Sequence, residues 1–125
     1  YIRDRIYELL SSGYKPIVAH IERYKCMKDI ELVEYLVNKG AYMQVNADSV
    51  IGKNGHGVKK YCGKLLEDEL VQFIGSDCHG SKRRVTRIGD AYAYVSKKFG
   101  CQAADEIFID NPQEILDNAK HCLSL

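Results

Sequence analysis

Tryptophan is absent from this 125-residue chain, proline occurs twice, and no charge of one sign dominates. The five cysteines, at positions 26, 62, 78, 101 and 122, are odd in number and widely spaced, with no Cys-x-x-Cys pair. That pattern argues against a disulfide framework or a structural zinc site and suits reduced thiols in the cytoplasm. No apolar run approaches the roughly 18 residues of a membrane span, and no charged-then-apolar leader opens the chain, so neither a span nor a signal peptide is expected. The net charge is +1, and the densest basic cluster, Lys82-Arg83-Arg84 with Arg87, is too short for a nucleic-acid patch. The glycine-rich stretch GKNGHG (52–57) lacks the Lys-Ser/Thr ending of a phosphate loop, which leaves His56 as an exposed loop histidine.

What is present is enough for one domain over residues 1–125, with 46% apolar residues to build a core. Ile2, Ile6, Leu9 and Leu10 recur at helical spacing over 1–12, with Gly13 as a C-cap. The chain thus opens inside a helix that has neither an N-cap nor an initiator methionine, which suggests a piece of something longer. Strands are expected at 15–20, 41–46 and 71–76. Helices are expected from Asp29 through Asn38, with Asp29 as cap, from Val58 to Glu69, and from Arg84 to Phe99 with Gly100 as the stop. The stretches IERYKCMKD and ADSVIGKNGHG read as connections. A short helix is expected over 103–109, followed by a last one that starts at Asn111-Pro112 with Asn111 as its cap.

Strands separated by helices mean an α/β fold with parallel pairing and right-handed crossovers. Functional residues in such folds gather at the C-terminal ends of the strands. His20 closes the first expected strand, Asn46 the second, and Asp77 and His79 follow the third. An Asp-x-His pair on extended chain projects its two side chains to one side, and carboxylate plus imidazole is a common pairing around Zn, Mn or Fe. His20, Asp77 and His79 are therefore candidate metal ligands on one rim, and a three-ligand set leaves open positions for catalysis. Arg23, three residues past a strand end, and one of Arg83 and Arg84 are placed to grip a phosphate or carboxylate. Glu22 reads as a loop carboxylate paired with a neighbour. Asn46, Asp48 and Ser49 lie near the rim, but caps and turn bonds explain them equally well.

Cys78 supports a competing idea. Cys78 and Arg84 are separated by five residues between a strand and a helix, the spacing of cysteine-dependent phosphatases. Asp77, however, stands where that signature wants a histidine, and a neighbouring carboxylate raises a thiol pKa and opposes its activation.

The blocks GYKPIVAHIERY, YMQVNADSVIG, VQFIGSDCHGSKRR and FIDNPQEIL resemble, in order, the bacterial CpsB/YwqE-type tyrosine phosphatases of the PHP superfamily. The resemblance implies the C-terminal part of a distorted (β/α)7 TIM-like barrel. It also implies a cluster of divalent metal ions, usually Mn2+ with other divalent metals open, that hydrolyses phosphotyrosine. The implied partner is a phosphotyrosine protein, typically a tyrosine autokinase governing capsular or exopolysaccharide synthesis. The family's His-Pro-Glu-Arg-Tyr block falls on His20 to Tyr24, so His20 inherits a metal-ligand role and Arg23 a phosphate-binding one. Its Ser-Asp-x-His block falls on Ser76 to His79, making Asp77 and His79 ligands, and its following Arg-Pro-Pro selects Arg84 over Arg83. Ile21 stands for the family's proline, and Val85-Thr86 for Pro-Pro. The family's early His-x-His strand has no counterpart, which opens the alternative of an inactive fragment acting as an interaction module. Because related PHP domains act on small phosphate esters, the resemblance also leaves open a PHP phosphoesterase of small molecules. The oligomeric state is left open.

Overall fold

The computed structural model describes residues 2–76, 81–117 and 122–124; the side chains of 81–86 and 122–124 lie outside that description. The elements run α1 (Ile2–Ser11), β1 (Lys15–Val18), two 3-10 turns (Ile21–Arg23 and Lys25–Lys28), α2 (Ile30–Asn38), β2 (Tyr42–Asn46), α3 (Ala47–Ile51), α4 (His56–Glu67), β3 (Phe73–Gly75), α5 (Ser81–Phe99), α6 (Cys101–Asp105), a π-helical turn (Glu106–Asp110), α7 (Asn111–Asp117) and β4 (Cys122–Ser124). The four strands form one parallel sheet in the order β3-β2-β1-β4. Ile17 pairs with Tyr42, and Val45 with Ile74. The expected α/β alternation with parallel pairing is therefore present.

Period-two alternation decides which face of the sheet is buried. Pro16, Val18, Met43, Val45 and Ile74 point into the helix-covered core, where Ile6, Leu36, Leu65, Ala91 and Val95 meet them. Ile17, Tyr42, Gln44 and Phe73 line the other face and are only half-buried. α7 lies over part of that face, and Pro112, Ile115 and Leu116 border a cleft of ≈ 390 Å³ there.

Three helices return to the sheet through the same device. α1, α2 and α4 end in a residue of positive φ: Gly13 at 88°, Gly40 at 110° and Glu69 at 59°. In each case the next N–H reaches back five residues, Tyr14 to the Leu9 carbonyl, Ala41 to Leu36 and Leu70 to Leu65, at 2.9–3.0 Å. This is the Schellman closure, and a left-handed residue is what it requires.

Several boundaries depart from expectation. The strand expected over 15–20 stops at Val18, and His20 adopts the left-handed conformation (φ 56°, ψ 42°) beyond it. The stretch after β2 is not only a connection, because Ala47–Ile51 coils into α3 directly on the strand end. α5 starts at Ser81, three residues before the expected position. Asn111 is no N-cap: it is itself helical (φ −65°, ψ −45°), and its side-chain amide donates to the Gln72 carbonyl at 2.9 Å. Asp29, by contrast, caps α2 as expected, its carboxylate accepting from the Glu31 N–H at 3.1 Å. Among the described residues no helix is long and apolar enough to cross a membrane.

Candidate functional site

The C-terminal ends of β1 and β2 bring His20 and Asn46 together. Parallel pairing aligns the strand ends, so the first residues past β1 stand beside the last residue of β2. Asn46 Oδ1 accepts from His20 Nδ1 at 2.9 Å. Asn46 is 2% exposed, so its amide is a fixed partner rather than a mobile one. A proton on Nδ1 leaves the lone pair on Nε2, and a hydrogen bond of this kind is what sets tautomer and ring orientation in ligating histidines.

Glu22 ties the same loop down from the inside. Its Oε2 accepts from the Asn46 backbone N–H at 3.0 Å and from the Ser49 hydroxyl at 2.6 Å. Ser49, fully buried, accepts in turn from the Asn54 amide at 2.9 Å. Glu22 Oε1 is buried with no hydrogen-bond partner among the described residues. The carboxylate leaves its mark on its neighbours. Burial first, and Glu22 second, push the Cys62 thiol from 9.0 to about 12, and burial together with Cys62 and Glu22 raises Tyr61 as well. Cys62 is therefore a protonated core thiol, not a nucleophile. The Tyr61 hydroxyl donates to the Met27 carbonyl, which anchors the second 3-10 turn. On the other flank, Arg87 Nη1 donates to Asp48 Oδ1 at 2.6 Å with both side chains half-buried, which pins α5 to α3.

Of the residues expected at the site, His20 lies on the rim as described. Arg23 is exposed at the end of the first 3-10 turn. Arg84 lies in the first turn of α5 by its backbone. Asp77, His79 and Cys78 lie outside the described residues, as does the side chain of Arg84. Among the described residues, no three His, Cys, Asp or Glu side chains gather as a metal-holding group. Glu22 is paired, as its loop position suggests, but it is also the keystone that joins the His20 turn to β2 and α3. A signal for Asn46 was available: it is a polar residue closing an apolar strand, followed at once by apolar Ala47. Nothing local marks it as the partner of His20, 26 residues away.

Comparison with known proteins places this geometry in a context. The family description "Capsular polysaccharide synthesis, CpsB/CapC" matches residues 1–117. The tyrosine-protein phosphatase CpsB of Streptococcus agalactiae is 33% identical over 123 residues, covering 94% of this chain and 51% of that protein. The tyrosine-protein phosphatase YwqE of Bacillus subtilis is 33% identical over 103 residues, covering 82% of this chain and 41% of YwqE. A solved structure from work on YwqE of Bacillus subtilis and CpsB of Streptococcus pneumoniae, described as metal-dependent tyrosine phosphatases, superposes with a TM-score of 0.67 at 30% identity. It covers 96% of this chain and 46% of that one. The chain thus spans about half the length of the curated relatives it matches.

Proposed function

The chain belongs to the CpsB/CapC family of capsular polysaccharide synthesis, and from that premise we propose that it serves a metal-dependent protein-tyrosine phosphatase, as the C-terminal part of a (β/α)7 barrel. The observation that carries the reading is the His20–Asn46 contact above aligned parallel strand ends, where such folds place their chemistry.

An imidazole whose Nδ1 is held by an amide oxygen is suited to ligate through Nε2, so the described part of the rim fits a divalent metal. His20, Asp77 and His79 would hold the ion, with Mn2+ the expected metal. A bound divalent cation there supplies positive charge for the phosphoryl oxygens and lowers the pKa of a water. The chain's own residues do the rest. Asn46 fixes the His20 ring, and Glu22 holds the turn that carries both His20 and Arg23. Arg23 and Arg84 grip the phosphoryl group, whose oxygens suit a guanidinium fork, and stabilise the charge that grows on them in the transition state. No thiol takes part. The substrate would be a phosphotyrosine protein such as a tyrosine autokinase of polysaccharide synthesis.

The second reading is a module that docks on a partner without hydrolysing anything. Hydrolysis of a phosphotyrosine peptide with Mn2+, then with EDTA, then after thiol alkylation, separates the two. Activity lost to EDTA and kept after alkylation is the expected result. Activity lost to alkylation alone would transfer the chemistry to Cys78. Absence of activity in every arm would leave the family standing and remove the reading that this chain by itself hydrolyses phosphotyrosine.

A further inference from the structure

α4 and α5 both pack on α3 and part from each other, leaving a cleft of ≈ 550 Å³ between their outer faces. The cleft is a consequence of helical spacing. Cys62, Leu65 and Leu66 turn one face of α4 into the core, which leaves Lys59, Lys60, Gly63 and Lys64 together on the opposite face. Lys98 enters from α5, and among the described residues Glu67 is the one carboxylate on the walls.

Four ammonium groups against one carboxylate is a local concentration in a chain of net charge +1. Lys64 has a partner in Asp68 at 3.4 Å. Lys59 and Lys98 instead converge on the Tyr94 ring, their Nζ atoms 4.9 and 5.7 Å from its centroid. Neither is ion-paired among the described residues. Two like charges on one ring raise the potential of the cleft and favour an anion between them.

Gly63 is a second, independent observation. Glycine in a helix interior is unfavourable relative to alanine, and a Cβ at Gly63 would meet no atom of the described residues within 4 Å. Packing within the chain therefore does not call for glycine there. Its bare backbone lies on the lining of the cleft, where an incoming chain could approach closely.

α4 has 12 residues, so the cleft runs along a helix roughly 18 Å long, a length that about five residues of extended chain would span. Tyr94 and Phe99 add aromatic surface to the charge. One end of α4 follows α3, the helix that carries Asp48 and Ser49 at the rim.

We propose that this cleft binds an acidic polypeptide segment in extended form. Resting on the phosphatase reading above, that segment is the acidic sequence flanking the phosphotyrosine of the protein substrate. Charge selects the partner, and the aromatic walls and the Gly63 backbone favour a peptide over a small anion.

The test is fluorescence anisotropy with a labelled Glu/Tyr peptide, without phosphate or metal, against the chain as it stands. Binding should weaken with salt, and the triple variant Lys59→Glu, Lys60→Glu, Lys98→Glu should raise Kd about tenfold or more with an unchanged circular dichroism spectrum. Gly63→Ala, expected to raise Tm, should weaken binding with no change of charge. In activity assays the triple variant should raise KM for an acidic phosphotyrosine peptide and leave kcat/KM for p-nitrophenyl phosphate unchanged. Equal peptide binding by wild type and triple variant would overturn the proposal, and so would equal binding of single-stranded DNA, which would mark a generic polyanion surface. Charge-dependent peptide binding without hydrolysis of either phosphoester would keep the cleft and remove the phosphatase reading. Hydrolysis with no charge-dependent binding would do the reverse.

Discussion

The two ends of the sheet are closed by different means. At the N-terminal ends of β1, β2 and β3, three helices stop in the same backbone motif, each closed by an N–H five residues past its acceptor carbonyl. At the C-terminal ends of β1 and β2, side chains far apart in sequence do the closing: His20 to Asn46, Glu22 to Asn46 and Ser49, and Arg87 to Asp48, separated by 24 to 39 residues. A backbone closure needs only one left-handed residue and tolerates almost any side chain around it. A side-chain closure places named polar groups at fixed positions, which binding and catalysis require and stability alone does not. The difference supports the proposal that the rim is the functional end.

Breaking the rim should have the largest effect. Asn46→Ala removes the partner of His20 and should lower Mn2+ affinity, and phosphatase activity where present, by about ten- to a hundredfold. Metal titration and phosphotyrosine hydrolysis check it, and an unchanged metal affinity would show that the His20 ring needs no such partner. Glu22→Ala should cost about 2–3 kcal/mol in urea unfolding, because it leaves the buried Asn46 N–H and Ser49 hydroxyl without an acceptor. Glu22→Gln keeps that acceptor and should cost under about 1 kcal/mol; a loss as large as alanine's would mean that the charge, not the hydrogen bonds, holds the rim.

The opposite end should answer more weakly and in both directions. Gly40→Ala forces a Cβ onto a residue at φ 110° and should destabilise by about 1 kcal/mol. The added Cβ meets only Leu10 and Lys15 atoms at 3.9–4.0 Å, so the backbone conformation, not a clash, sets that cost. Glu69→Gly relieves a non-glycine residue at φ 59° and should stabilise by about 0.5–1 kcal/mol, less than the full strain because glycine loses more entropy on folding. Destabilisation by Glu69→Gly would show that the side chain contributes more than the conformation costs.

The smallest effect at neutral pH concerns Cys62. The folded chain holds its proton up to about 12, whereas the unfolded thiol loses it near 9.0, so stability should fall as pH rises from 9 towards 12. Below 9 both states keep the proton and nothing changes. Denaturant midpoints across that range give the sign. Alkylation mapped by mass should label exposed Cys101 well before buried Cys62.

Much of the fold was legible because its signals are local. Helical spacing of Ile6 and Leu9, the Asp29 cap, and Gly13 and Gly100 each act within a few residues, and the structure uses all of them. Misread boundaries cluster where tertiary contacts outweigh local preference. Asn111-Pro112 has the form of a helix start, yet the amide of Asn111 is taken by Gln72 from the edge of β3, and the helix runs through it. ADSVI has the look of a connection, but with Val50 and Ala47 buried and Ser49 held by Glu22, one turn of helix is the arrangement that satisfies them.

What the sequence determined by itself was the alternation of strand and helix, the apolar spacing of the first helix, and the family in which those blocks recur. These depend on periodicity and on neighbours a few residues away. What only the tertiary structure decided was the company each rim residue keeps. Glu22 could be read as an ordinary loop carboxylate until the parallel register of β1 and β2 set the His20 turn against Asn46 and Ser49. A buried hydrogen bond depends on which groups chain topology brings within about 3 Å, and no spacing along the chain encodes that distance.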